Sequence, residues 1–399
     1  MFAKVYPLSA TSKDATVRQP KELICFSRDI DNNIHLDDSE LSYYYLPDSE
    51  LNTPGGLDLQ SGFSHFNKNP KEDVGELTGL LKAVESYERA VGKKIPVDVI
   101  TWRGLMRQLM MLPYENRDKL VLNIVVFDGQ LFIQTDVPSL RAIRTVEEAR
   151  QTELNKRQVF SGYKFENVST LKKPWAQCSR KHVEKRFRRK VNNIEQYSTV
   201  VRTTIGKTRL LLGAEVDCAW DFKPDHYDAE DGENIDPLRH YVELKTTGVI
   251  DSPKACATFE RKLLRTWSQC FLAGIPKVIY GFRDNNLILR SVEEFKTEEI
   301  PILLRDAPFQ KPVEAGQRPE NKCMRCLKFF SGLINWLNEN IPKNDESKTY
   351  RLEYDPVSNK NYINVRENDA EVTEKLLGEF NGPDGGMLTT EFREWRKSN

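Results

Sequence analysis

Apolar positions along the chain change their period several times, and each change predicts an element. Over 74–91, Leu77, Leu80, Leu81, Val84 and Tyr87 recur at helical spacing, and Gly92 supplies a stop. A strand is expected over 97–101 and a short helix over 103–111. The unbroken run Leu120-Val121-Leu122-Asn123-Ile124-Val125-Val126-Phe127 then turns at Asp128-Gly129 into Leu131-Phe132-Ile133, a hairpin signal. A helix over 146–156 precedes a strand over 159–167, in which Lys164 and Glu166 would share a face. Phe259, Leu263, Trp267 and Phe271 define a helix over 257–272 closed by Gly274, with Gln269 off the apolar stripe. A second hairpin joins 277–282 to 287–289. A long helix over 321–340 directs Phe329, Leu333, Trp336 and Leu337 inward, and a hairpin over 350–365 follows. The first seventy residues read as strands and loops.

Helices and strands in mixed order, with repeated hairpins, predict an α/β (α+β) fold of mixed sheets flanked by helices. No linker rich in Pro, Gly or Ser divides the chain, so one large domain over 1–399 is expected. Its motif-bearing part is 74–302, with a C-terminal helix and hairpin over 320–399. With 39% apolar and 30% charged residues the composition is that of a soluble protein, without a run long enough to span a bilayer. The opening Met1-Phe2-Ala3-Lys4-Val5-Tyr6-Pro7 lacks the apolar centre of a signal peptide, so an intracellular protein is expected. Seven cysteines without framework spacing fit reduced thiols. Cys323-Met324-Arg325-Cys326 has the spacing of half a zinc site, but no second pair follows and the residues fall in a helical pattern, which favours packing. The histidines show no ligand spacing either.

Net charge is zero but unevenly placed. Nine basic residues lie between Lys172 and Lys190 with only Glu184 against them. That segment is either a track for a phosphate backbone, with Trp175 and Phe187 to stack on bases, or the charged outer face of a helix. The acidic stretch over 225–236 reads as a solvated loop.

That loop separates two tracts that carry chemistry: Gly213-Ala214-Glu215-Val216-Asp217 and Tyr241-Val242-Glu243-Leu244-Lys245-Thr246. Read as strands, each puts residues two apart on one face, so Glu215 sits beside Asp217, and Glu243 beside Lys245. The first pair would lie about 6–7 Å apart along the backbone, close enough to converge on one ion. Like charges at 4 Å repel by roughly 4 kcal/mol at an effective dielectric near 20, so gathered carboxylates need a cation. Magnesium or manganese suits oxygen ligands and can bridge them to phosphate. Lys245 adds an ammonium that can offset charge building on phosphorus. An acidic pair, a gap, then Glu-x-Lys is the pattern of the PD-(D/E)XK nuclease core; the bland alternative is two strands with charged solvent faces.

Together with Thr101-Trp102-Arg103-Gly104, Gly162-Tyr163-Lys164-Phe165-Glu166 and Trp267-Ser268-Gln269, in that order along the chain, these tracts resemble the decapping exonuclease (DXO) family. The resemblance runs over 74–302 and is strongest to the fungal branch that binds the nuclear 5′-3′ exoribonuclease. It implies that Glu166, Asp217 and Glu243 bind a divalent metal, that Glu215 does so largely through water, and that the Leu244 carbonyl completes the shell. It further implies that Lys245 and Gln269 face the scissile phosphate, with Glu215 a member of the catalytic group, and that Arg103 holds the 5′ phosphates. The implied activities are hydrolysis of 5′-triphosphate RNA to release pyrophosphate, removal of incomplete or NAD-type caps, and 5′-3′ degradation. A nuclear location and the exoribonuclease as partner go with that branch. Two rivals share the features: a DNA nuclease of the same core, and a non-catalytic stabiliser of the exoribonuclease.

Overall fold

In the computed structural model the described residues are 2–52, 55–71, 73–224, 236–305 and 320–398. Their strands form two mixed sheets. The first has ten strands, in the order Ala3–Pro7, Tyr362–Glu367, Thr349–Tyr354, Leu120–Phe127, Gln130–Thr135, Val99–Trp102, Thr208–Glu215, Gln196–Ile205, Val17–Arg28 and Ile34–His35. The second has seven: Leu57–Asp58, Ile288–Lys296, Lys277–Arg283, Tyr241–Gly248, Cys218–Ala219, Tyr43–Tyr44 and Thr170–Leu171. Both hairpins expected from the apolar runs are present, as is the tail hairpin. In the first, Asp128 and Gly129 take φ of 49° and 69°, as a tight two-residue turn requires.

Three helices, Arg103–Met111, Pro253–Ala273 and Lys322–Asn340, share one apolar core with both sheets. Leu105, Met106, Leu263, Trp267, Phe330 and Leu333 meet Leu122 and Leu212 of one sheet and Val278 and Tyr280 of the other. Each such side chain contributes about 1.5–3 kcal/mol by leaving water. Asn321 caps the third helix by accepting from Met324 N, and Gly274 ends the second in the left-handed region. Cys323 and Cys326 are buried in this core as free thiols, as the helical pattern favoured. On the other face of the first sheet, helix Thr78–Val91 seats Leu80, Leu81 and Val84 among Ile100, Val125, Val200 and Leu211.

Two expectations need correction. The helix placed over 146–156 is the junction of two helices, Val137–Arg150 and Glu153–Val168, with Thr152 capping the second by accepting from Asn155 N. The strand placed over 159–167 is therefore helical, and Lys164 and Glu166 do not share a strand face. The buried stripe is Phe160, Ser161, Lys164, Phe165 and Val168, a helical spacing whose two polar members hide it from an apolar count. Phe165 and Val168 pack on the second sheet against Val242, Leu244 and Ile279. Close docking depends on Gly281, where a Cβ would lie 2.8 Å from the Phe165 ring. The acidic stretch lies outside the described residues, apart from Asp236, which caps a short 3-10 helix.

Candidate active site

The site forms where the chain leaves one sheet for the other. The strand Thr208–Glu215 ends at Glu215, Val216 N donates to the Tyr197 carbonyl at 3.0 Å, and Cys218–Ala219 pairs with Val242 and Tyr241 in the second sheet. The tract from Gly213 to Asp217 is thus not one strand: buried Val216 ties down the crossover, and Glu215 and Asp217 stand at the end of one sheet and the start of the next. The crossover brings Asp217 beside the second strand, where Leu244 N donates to Asp217 Oδ2 at 2.6 Å. Gly213 makes room for Trp102, whose ring would lie 2.9 Å from a Cβ at that position. Trp102 in turn donates Nε1–H to the Glu76 carbonyl at 2.9 Å and leads into the helix that begins with Arg103.

Glu243 is the centre of the arrangement and is 1% exposed. Its Oε1 accepts from Gln269 Nε2 at 2.5 Å and from Lys245 Nζ. Its Oε2 is buried and accepts no hydrogen bond among the described residues, while Arg103 Nη1 stands 3.8 Å away. Arg103 is itself buried and donates from Nη2 to the Glu215 carbonyl at 3.1 Å. Lys245 Nζ also donates to the Leu244 carbonyl at 3.1 Å and lies 3.6 Å from Asp217 Oδ2.

Mutual repulsion at this recess is legible in its acid strengths. Burial first, then the Asp217 charge, raises the Glu166 carboxyl well above the usual range. Burial and Glu243 push Asp217 up to about 6, against the pull of Lys245 and the Leu244 N–H. Glu215 touches water but lies within the same recess, and loss of hydration with Asp217 and Glu243 nearby pushes it up to about 7. Burial opposes the charge on Lys245, yet Asp217, Glu243 and Glu166 outweigh it and hold the ammonium well above its ordinary range. Glu166, Glu215, Asp217, Glu243 and Lys245 are therefore electrostatic neighbours, with Gln269 and Arg103 bonded into the group.

A hard divalent cation fits this donor set: carboxylates from two strands, the crossover and a helix, the Leu244 carbonyl, and a buried Glu243 oxygen lacking a hydrogen-bond donor. Among the described residues no three acidic, His or Cys groups stand close enough to grip an ion as they are. The cation that meets Glu243 and Asp217 is the Lys245 ammonium.

The basic segment divides. Lys181, Lys185, Arg188 and Lys190 are exposed, as is Trp175 at 62%. Arg186 and Arg189 turn inward, a role the sequence reading missed. Arg186 Nε donates to the Val168 carbonyl at 2.9 Å, and Arg189 Nη2 donates to the Asn167 and Thr170 carbonyls, so the two hold the C-terminal end of the helix that carries Glu166. Alternation of Arg with Phe187, which stacks on Arg186 with 4.1 Å between the guanidinium carbon and the ring centre, was the available signal.

Two mixed sheets with clustered carboxylates and a lysine at their junction fit a hydrolase of the PD-(D/E)XK nuclease class. The family described as RAI1 like PD-(D/E)XK nuclease matches residues 18–393, and the chain belongs to that family. Decapping nuclease RAI1 of Candida albicans is 44% identical over 408 aligned residues, covering 100% of this chain and 99% of that protein. The crystal structure of Candida albicans Rai1 in complex with pU5-Mn2+ superposes with a TM-score of 0.90 at 44% identity, covering 100% of each chain. Scheffersomyces stipitis Rai1 in complex with (3′-NADP)+ and calcium ion does so with a TM-score of 0.88 at 41% identity, over 99% of this chain and 100% of that one. This chain is thus a nuclease, and hence a hydrolase, similar along its whole length to decapping nucleases.

Proposed function

We propose that the chain is a divalent-cation-dependent hydrolase of RNA 5′ ends, which releases pyrophosphate from 5′-triphosphate RNA and removes incomplete and NAD-type caps. The observation that carries this reading is the bonding of Asp217, Glu243 and Lys245 around Leu244 at the junction of the two sheets, with Glu166 and Glu215 in electrostatic reach. The nucleotide and metal complexes of the similar proteins support the ligand class. Glu166, Asp217 and Glu243, with the Leu244 carbonyl, would hold the ion, Mg2+ or Mn2+, and Glu215 would do so largely through water. Such an ion, when bound, supplies Lewis-acid polarisation of phosphate and lowers the pKa of water.

The protein's own groups then act around the phosphate. Lys245 opposes negative charge as it develops on phosphorus. Gln269 fixes Glu243 through Oε1 and presents its amide to the same phosphate. Arg103 donates to the Glu215 carbonyl and contributes positive charge toward the 5′ phosphates. The whole chain works as one catalytic unit, in the nucleus, beside the 5′-3′ exoribonuclease named by the resemblance. Product analysis with Mg2+ or Mn2+ on RNAs bearing triphosphate, unmethylated-cap, methylated-cap and NAD ends tests the reading. Release of pyrophosphate, incomplete cap or NAD is expected; release from none of these ends, or cleavage of duplex DNA in their place, would sink it.

A further inference from the structure

The first sheet carries a second concentration of charge, remote from the acidic recess. Strands Val17–Arg28 and Gln196–Ile205 pair antiparallel, with Lys21 directly opposite Arg202 and Arg18 opposite Thr204. Between these pairs Gln19 and Pro20 oppose the single Thr203, which is a β-bulge. In a regular strand Arg18 and Lys21 would project from opposite faces. The extra residue turns both to one face, where they join Arg202 and, from the next strand, Arg209 opposite Thr204. All four cations are exposed and line a cleft of about 370 Å3.

Sheet stability gives no reason for this arrangement, because like charges directly across an antiparallel pair repel. Asp98 neutralises Arg209 through bonds of 3.0 and 2.7 Å, and Lys21 lies close enough to Asp236 to act on its charge. Arg18 and Arg202 make no ion pair among the described residues. Exposed guanidinium groups on a concave face, two of them without an acidic partner among the described residues, match the paired oxygens of phosphodiesters. Arg209 lies near the start of the strand that ends at Glu215, so the cleft is about 20 Å from the recess by strand rise. Helix Thr78–Val91 packs over Leu211 and Gly213 between the two.

We propose that this cleft is a second RNA-binding surface, which grips the phosphodiester backbone of the transcript body while its 5′ end occupies the recess. The proposal rests on the RNA substrate assigned above and extends it. The test is the combined variant Arg18→Gln, Lys21→Gln and Arg202→Gln, in the full chain. Fluorescence anisotropy with a 5′-hydroxyl RNA of about 20 nucleotides should show affinity about tenfold weaker at low salt, with the log-log salt slope shallower by about 2. The KM for an equally long triphosphorylated RNA should rise, whereas kcat and KM on a triphosphorylated dinucleotide should stay unchanged. Tm should hold or rise, since a repulsive pair is removed; a fall in Tm would mark the cations as structural and overturn the proposal. Unchanged affinity and slope, or an equal loss on the dinucleotide, would also overturn it. If polyglutamate occupies the cleft and RNA does not, the surface belongs to an acidic protein segment and the RNA assignment fails. If the unsubstituted chain hydrolyses no 5′ end but the variant still loses RNA affinity, this surface stands and the catalytic reading falls.

Discussion

Glu243 has its partners unevenly shared between its two oxygens. One oxygen receives both Lys245 and Gln269, while the other faces Arg103 at 3.8 Å without a hydrogen bond. A buried, half-satisfied carboxylate is unfavourable for folding and suits a group kept for chemistry. Its relation to Lys245 was legible, because two residues on an alternating strand share a face. Gln269 stood out only as a polar residue off an apolar helical stripe, and its place at the site came from the family resemblance. The bond from Arg103 to the Glu215 carbonyl was not, because it joins residues with no local pattern between them. The carboxylates themselves give the test at this scale. Glu215→Ala with Asp217→Ala should abolish pyrophosphate release from triphosphorylated RNA, by at least about a thousandfold if both serve metal and transition state. Without metal at pH 7.5 the same variant should melt no lower than the parent, because its repulsive charges are gone. Retained turnover, or a collapsed fold, counts against the assignment.

Elements show where sequence patterning fails. The helix Glu153–Val168 carries Glu166, yet its stretch from Val159 to Asn167 reads as a strand. Phe160, Tyr163 and Phe165 are β-favouring residues, and the buried helical stripe includes Ser161 and Lys164. Lys164 is tolerated there because its Nζ donates to the Phe187 carbonyl at 3.1 Å, a partner supplied by tertiary structure alone. Uninterrupted apolar strands, by contrast, were placed well, since Leu120–Phe127 is buried at every position. Docking of the Glu166 helix rests on the absence of a side chain at Gly281. Gly281→Ala should push the fully buried Phe165 ring and destabilise the protein by about 1–3 kcal/mol, measured by urea unfolding. Turnover under folding conditions should fall as well, because Phe165 precedes Glu166. Wild-type stability in that variant would show that the helix can slide without consequence.

At the scale of the whole molecule the acidic recess is a seam. Glu215 ends a strand of the ten-stranded sheet, Glu243 belongs to the seven-stranded sheet, and Glu166 comes from a helix packed on the latter. A cation held by all of them would tie the two sheets together, and its binding energy would appear as folding stability. At a free concentration about a hundred times its Kd that linkage is about 2.7 kcal/mol, or a few degrees of Tm. The sign with pH follows from the shifted carboxyls. Asp217 rises from 3.8 to about 6 and Glu215 from 4.5 to about 7, so between those limits the folded state holds more protons than the unfolded chain. Stability from these groups is therefore greatest below about pH 4 and is lost as pH climbs toward 7. Other groups titrate in the same interval, so the contribution is isolated by comparison with Glu215→Gln and Asp217→Asn combined. Metal-free wild type should lose Tm relative to that variant between pH 5 and pH 7.5. Added Mn2+ should reverse the difference at pH 7.5, where Asp217 and Glu215 are mostly ionised, and do little at pH 5. A Tm difference that ignores both pH and Mn2+ would mean that these side chains do not share one electrostatic site, and the seam would have to be explained by packing alone.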